Sequence, residues 1–561
     1  MTACAAGWLI SDLQLRSFEL IMDKSQYSQL LLNPEYPLGR LRKALQTLFS
    51  SKLILGLILF GVFLVSLYLI QFSTPNLAGN DGYYHIRFAQ IMRFEGLKPD
   101  FPWLPLTILS SGEFYDHHFL FHVALIPFTY GDLIVGAKWA SIFFASLTFL
   151  SVWWLLRGQQ LPYAALWALG LLVISEAFLY RMIMPRAQSL SLAILVLGLH
   201  FLLQKKYRYL LPLSFIYVWM YDGFPMILIL VGVSLISTWM IERKFNLVPL
   251  YYVVGGIFLG LLVNPYFPHN VIFSVRHTLP KLINATSVRV GNEWYPYDTG
   301  QLLENSFLAL VIFMSGVVAL GMRSRRMDTR TATALFMAIV TGLLLFQARR
   351  FIEYLPPFVL IFAAFAWTPL IAEWESNRSN RQRTEIRSVD SKLNSRLRGA
   401  LSIWLPLGVV ALIMLVGMWS SVQDAQASME KSKPADRYAQ ASSWLKHNTP
   451  EGARVFQTDW DDFPRLFFYN TWNSYLIGLD PTYLQLKDKE LYELWVDITK
   501  GKVEDPARLI YERFAAEYVF TDLAHDDFIA NADGDENLTE VFRDEEAIIY
   551  RITPENLGLD W

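Results

Sequence analysis

The sequence predicts a polytopic α-helical membrane protein of about eleven transmembrane helices, followed by a soluble C-terminal α/β domain. Three observations carry this expectation. Of 561 residues, 53% are hydrophobic and only 17% are charged, against the ~25% charged that is typical of a soluble globular domain. The apolar residues fall in uncharged stretches of roughly 20, the length at which a helix crosses a hydrocarbon core of ~30 Å. Charge is also unevenly split: residues 421–561 hold 14 Lys+Arg against 28 Asp+Glu, a net of −14, while residues 1–420 hold 34 against 22, a net of +12. These features exclude a disordered, fibrous or coiled-coil chain and give no reason to expect a nucleic-acid partner. The single cysteine, Cys4, excludes an intrachain disulfide and any Cys-based metal site.

Apolar segments occur near 53–72, 133–156, 161–180, 187–203, 224–241, 248–264, 303–322, 332–348, 351–372 and 400–420, and a shorter one at 209–221 makes eleven. Basic clusters (Arg40, Arg42 and Lys43; Lys205, Lys206 and Arg208; Arg243 and Lys244; Arg323, Arg325, Arg326 and Arg330; the run from Arg378 to Arg398) fall in alternate connections, as the positive-inside rule requires of one face. With an odd number of spans, the N-terminal segment 1–50 is cytoplasmic, the bundle occupies 51–420, and the acidic tail 421–561 lies outside. Residues 1–21 lack the pattern of a signal peptide, and Met22 could be the true start. The outer side then carries long loops at 73–132 and 265–302 and short turns at 181–186, 221–223 and 349–350. In the tail, a helical stretch at 436–445 and short apolar runs at 454–457, 475–479, 517–520 and 547–552 alternate as in a small α/β domain.

Charged side chains at span ends are the informative ones, because a charge inside the bilayer costs ~2.5–3.5 kcal/mol on insertion scales and persists where it faces a cavity or a partner. The first outer loop opens with AsnAspGlyTyrTyrHisIleArg at 80–87 and later carries GluPheTyrAspHisHisPheLeuPheHis at 113–122. Asp81, Asp116 and the histidines His85, His117, His118 and His122 could form an O/N metal site or an acid–base pair. The plainer alternative is that Asp81 caps a helix beginning at Tyr83 and the histidines sit at a wet interface. Arg181 and Arg186 lie between two apolar segments, and Arg349 and Arg350 open another. Guanidinium forks bind phosphate bidentately, although arginines at span ends also snorkel. Glu293 and Asp298 lie in the loop 265–302. In the tail, ThrAspTrpAspAsp at 458–462 marks a strand-to-helix junction, where Asp459, Asp461 or Asp462 could bind a ligand or cap a helix.

In this order, these pieces resemble the GT-C superfamily of membrane glycosyltransferases, most closely the catalytic subunit of oligosaccharyltransferase. AsnAspGlyTyr at 80–83 is similar to that family's first acidic motif, ArgArgPheIleGluTyrLeuProPro at 349–357 to its late arginine motif, and ThrAspTrpAsp at 458–461 to its Trp-Trp-Asp segment. The resemblance implies catalytic roles for Asp81, Asp116 and Glu293. It implies donor-phosphate binding by Arg181, Arg186, Arg349 and Arg350, and acceptor binding by Asp459, Trp460 and Asp461. The family's second acidic motif falls here on Gln188 and Leu190, so both of its acids are missing. Either a divalent metal, Mg or Mn, is held by Asp81 with Asp116 and His117, or the enzyme works without one. The expected activity is transfer of a sugar from a polyprenyl-phosphate or polyprenyl-pyrophosphate donor to an acceptor outside the membrane, with inversion. The expected setting is a bacterial inner or plasma membrane, and the acceptor could be peptide, lipid or polysaccharide. The competing readings are a transporter or flippase of a lipid-linked solute and a non-catalytic GT-C-like scaffold.

Overall fold

In the computed structural model, the described residues are 52–278, 280, 291–324, 326–387 and 392–553, with no side-chain detail for 378–407. The N-terminal segment to 50 with Met22 and its basic cluster, the middle of the 265–302 loop, Arg325 and the side chains of the basic run Arg378–Arg398 lie outside them. Every apolar segment of the bundle is helical. Six helices among the described residues are long and apolar enough to cross a membrane: Lys52–Gln71, Leu133–Gly158, Thr299–Met322, Thr329–Gln347, Leu355–Asn377 and Gly408–Glu430. A further apolar pair, Ala164–Leu172 and Glu176–Met182, meets at 87° across a short break, the geometry of a broken span or a re-entrant loop. The break falls at Ser175, whose hydroxyl accepts from the Phe178 amide and starts a new helix, so the chain turns ahead of the expected turn at 181–186. Gln188–Leu203, Met226–Glu242 and Val248–Leu262 are apolar helices of 16, 17 and 15 residues, shorter than the roughly 20 that a full perpendicular crossing takes. Leu210–Met220 is shorter still. The chain is thus a polytopic helical membrane protein. Its last long helix runs on to Glu430, beyond the expected domain boundary at 420, because the polar sequence after 420 still favours a helix.

Five strands form one sheet in the C-terminal part: β1 Arg454–Gln457, β2 Ser474–Tyr475, β3 Tyr518–Asp522, β4 Leu538–Arg543 and β5 Ala547–Ile552, in the order β2-β1-β3-β5-β4. β1 runs parallel to β2 and β3, and β5 runs antiparallel to β3 and β4. Alternation along the strands sends Val455, Phe520 and Ile549 to one face and Phe456, Val519 and Ile548 to the other. The second face is covered by helices that include Leu491, Trp495, Ile510 and Phe528. The first face shares an aromatic core with the long connection 73–132, through Tyr84, Phe88, Phe101 and Trp103 against Phe463 and Phe467. Each such ring contributes ~1.5–3 kcal/mol by burial. The backbone seals the join: the Tyr475 amide donates to the Trp103 carbonyl over 2.8 Å and the Trp103 indole donates to the Thr471 carbonyl over 2.9 Å. The sheet domain is therefore packed on the first connection, which carries Asp81.

Candidate active site

Asp81 is the first residue of the helix Asp81–Glu95 and not a cap ahead of it. Its carboxylate is free to point away from the helix toward Arg186, Oδ2 lying 2.9 Å from Nη2. The approach depends on a glycine. A Cβ on Gly82 would stand 2.7 Å from Cγ of Pro185, the residue before Arg186, so only glycine lets the MetProArg turn lie against the start of this helix. Gly82→Ala is expected to cost about 1–3 kcal/mol by overpacking and to pull Arg186 off Asp81. Thermal melting in detergent would check the loss of stability.

Glu293, in the turn Asn292–Trp294, sits at the centre of three guanidinium groups. Arg186 grips it with a fork, Nη1 to Oε2 at 3.0 Å and Nη2 to Oε1 at 3.3 Å. Arg181 Nη1 lies 2.9 Å from Oε2, and Arg350 Nη1 lies 3.5 Å from Oε1. Burial alone would raise the Glu293 carboxyl, but Arg186, Arg350 and Arg181 together hold it well below its ordinary value. Arg181 also binds Glu353, and Arg350 donates to the Tyr221 hydroxyl over 2.8 Å while stacking on the Trp294 ring at 4.1 Å. Three arginines and three carboxylates, from connections far apart in sequence, thus form one partly buried cluster.

Arg349 stands apart. It donates to the carbonyls of Tyr295 and Pro296 and lies over the Tyr297 ring, clamping the loop before the helix Thr299–Met322. Of the tail residues, Asp459 caps the short turn 460–462 by accepting from the Asp461 amide over 3.0 Å, and Trp460 packs by Gly291. Asp461 is brought to the cluster: its carbonyl accepts from the Asn80 side chain, and Lys433 Nζ lies 3.8 Å from its carboxylate. Partial burial, and to a lesser degree the Asp81 carboxylate, raise Asp461 above its ordinary value.

Asp116 and His117 do not join Asp81. Asp116 accepts from the His118 amide at 3.0 Å and pairs with His122 Nδ1 at 2.7 Å, while His117 stacks on Phe273. His122 Nε2 in turn meets His85 Nδ1 at 2.8 Å. Asp116, His122 and His85 are thus joined in one buried hydrogen-bonded chain. Burial lowers the affinity of His85 for a second proton, so this buried Asp–His–His chain stays neutral at its far end. Among the described residues, no three His, Cys, Asp or Glu side chains are placed to hold a metal ion. The expected ligand set Asp81, Asp116 and His117 does not fit one, because the first is committed to Arg186 and the second to His122.

The sequence left two side chains of this cluster unnamed. Glu353 stands within the arginine motif already singled out. Tyr221 carries no local signal, since its partner Arg350 is remote in the chain.

No protein-family model matches this chain, and no curated protein sequence matches it significantly. Solved structures do. It superposes with an oligosaccharyltransferase, AglB of Archaeoglobus fulgidus, in complex with an inhibitory peptide and a dolichol-phosphate, at a TM-score of 0.57 and 15% identity over 86% of this chain and 71% of that one. With ArnT of Cupriavidus metallidurans bound to undecaprenyl phosphate, the TM-score is 0.53 at 17% identity over 88% of this chain and 97% of that one. With the mycobacterial arabinofuranosyltransferase AftD it is 0.50 at 14% identity over 89% of this chain and 41% of that one. All three are GT-C glycosyltransferases. The chain has the fold of the GT-C membrane glycosyltransferases.

Proposed function

We propose that this protein transfers a sugar from a polyprenyl-phosphate or polyprenyl-pyrophosphate donor to an acceptor on the outer face of the membrane. The observation that carries the reading is the convergence of Arg181, Arg186 and Arg350 within 3.5 Å of one carboxylate, with Asp81 held in the same cluster. Three guanidinium groups on one anion make a site for a phosphate. Two of the similar structures hold such a lipid, a dolichol-phosphate in one and undecaprenyl phosphate in the other. In the reaction, the acceptor oxygen or nitrogen forms a bond to the anomeric carbon as the bond from that carbon to the phosphate oxygen breaks. The electron pair leaves on the phosphate, where Arg350, Arg181 and Arg186 offset the charge. The acceptor's proton passes to a carboxylate, for which Asp81 and Asp461 are the two candidates. Direct displacement inverts the anomeric centre.

The eleven apolar helices, taken as spans with basic clusters in alternate connections, support an N-terminus inside and the sheet domain outside. A bacterial inner or plasma membrane suits this arrangement.

The test is mass spectrometry of polyprenyl-linked glycans and cell-surface glycoconjugates from cells with the gene, without it, and complemented with Asp81→Asn. Loss of the gene is expected to accumulate a lipid-linked sugar and remove one surface product, and Asp81→Asn is expected not to restore it. Full restoration by Asp81→Asn would favour a scaffold. A donor that builds up only on the inner leaflet would favour a flippase.

A further inference from the structure

Two of the cluster's three carboxylates share one guanidinium although they come from different connections, Asp81 on the first helix of the long loop and Glu293 on the turn Asn292–Trp294. Carboxylates gathered this way ordinarily face a divalent cation, which needs several oxygen ligands to replace its water. Here the space between them is filled. Arg186 Nη2 meets Asp81 Oδ2 at 2.9 Å, and the same guanidinium forks onto both oxygens of Glu293. We infer that the Arg186 guanidinium is the built-in cation of this site, taking the place between Asp81 and Glu293 that a divalent metal ion would hold. The inference rests on the reading of this cluster as the sugar-transfer site.

Two further observations point the same way. The positions one turn beyond Arg186, Gln188 and Leu190, carry no charge to complete a ligand shell, and Gln188 is buried with its side-chain oxygen unpaired. The surroundings of Glu293 are also already cationic, because Arg181 and Arg350 contact it from other sides. A dication entering there would meet three guanidinium groups that already balance the three carboxylates Asp81, Glu293 and Glu353, and would find no uncompensated negative charge to hold it unless one guanidinium left. A guanidinium differs from a metal ion in what it offers a leaving phosphate: a planar pair of N–H donors at fixed charge, with no bound water to ionise and no exchange with solvent. The phosphate would then be neutralised wholly by side chains of this chain.

The test uses Mn2+ as the probe, titrated against the full-length protein in detergent and followed by the electron paramagnetic resonance of the free ion, with no need of donor or acceptor. Wild type is expected to show no saturable binding that depends on Asp81. Arg186→Met, which removes the shared guanidinium at similar side-chain length and leaves Asp81 unpaired and one negative charge of the cluster unbalanced, is expected to gain one Mn2+ site, and Arg186→Met with Asp81→Asn is expected to lose it again. Arg186→Lys keeps a cation in place and is expected not to gain the site. Saturable Mn2+ binding by wild type that Asp81→Asn abolishes would overturn the inference. So would a folded Arg186→Met that gains nothing. Should Arg186→Met fail to fold, the wild-type and Asp81→Asn titrations still decide the matter. Failure of the glycosyl-transfer reading itself would show in the glycan analysis and not in these titrations, so the two are separable.

Discussion

Arg350→Ala is expected to lower the rate of sugar transfer about 10²–10³-fold, equivalent to ~2.7–4 kcal/mol of transition-state stabilisation, the usual effect of deleting one fixed donor to a developing oxyanion. Its guanidinium is held on three sides: the Tyr221 hydroxyl accepts from it at 2.8 Å, the Trp294 ring lies under it at 4.1 Å, and Glu293 stands 3.5 Å away. These contacts leave it pre-oriented, so little reorganisation is required when the phosphate bond breaks. The fold should survive the substitution, because Glu293 keeps its closer contacts with Arg181 and Arg186 at 2.9 and 3.0 Å. The melting temperature should therefore move far less than the activity. Arg350→Lys is expected to recover only part of the rate, since an ammonium retains the charge but lacks the planar fork and the ring stacking. Single-turnover transfer with a lipid-linked donor extracted from the host would measure the effect. A loss smaller than tenfold in Arg350→Ala would remove this residue from the phosphate site.

The helices were legible in the sequence because lipid imposes a uniform requirement: a run such as LeuIleLeuGlyLeuIleLeuPheGlyVal at 53–62 has no stable alternative to a helix in a bilayer. The sheet was legible where both faces are buried, as in the runs at 454–457, 517–520 and 547–552. β4 escaped notice because it is an edge strand, with Thr539 and Glu540 exposed and a bulge between Glu540 and Phe542. The helix expected from 436 starts at Ala439, since Tyr438 ahead of it adopts φ +67°. At the site, the residue types at span ends singled out Asp81, Arg181, Arg186, Glu293 and Arg350, because charges near lipid need a reason to persist. Composition could not say which carboxylate meets which guanidinium. The histidines of 117–122 drew attention as metal ligands, yet the structure commits His122 to Asp116 and His85. That choice is made by tertiary packing around Tyr84 and Phe121, and no spacing rule encodes it.

The join between the sheet domain and the first connection makes a second large prediction. Arg465 is 2% exposed, and its guanidinium donates to the Asn80 side-chain oxygen at 2.9 Å and to the carbonyls of Pro434 at 2.5 Å and Lys433 at 3.3 Å, while it lies over the Tyr83 ring at 4.3 Å. Arg465→Ala would remove hydrogen bonds to half-buried Asn80 and to the exposed Pro434 and Lys433, at ~1 kcal/mol each, and would remove a cation–π contact of about 0.5–2 kcal/mol. A loss of at least ~3 kcal/mol is expected, read as faster hydrogen exchange in the helices Asp81–Glu95 and Phe463–Tyr469 ahead of the remaining bundle. The same change reaches the chemistry. Asn80 links Arg465 to the Asp461 carbonyl, so losing Arg465 lets Asp461 drift from Asp81 and separates the two carboxylates proposed to take the acceptor's proton. Transfer should fall while retention of the lipid-linked donor, proposed to rest on Arg181, Arg186 and Arg350, holds. Arg465→Lys is not expected to rescue either property, because one ammonium cannot span three acceptors set around a plane. If Arg465→Ala exchanges no faster at these two helices and transfers sugar at the wild-type rate, the first connection and the sheet domain are joined by their aromatic core alone.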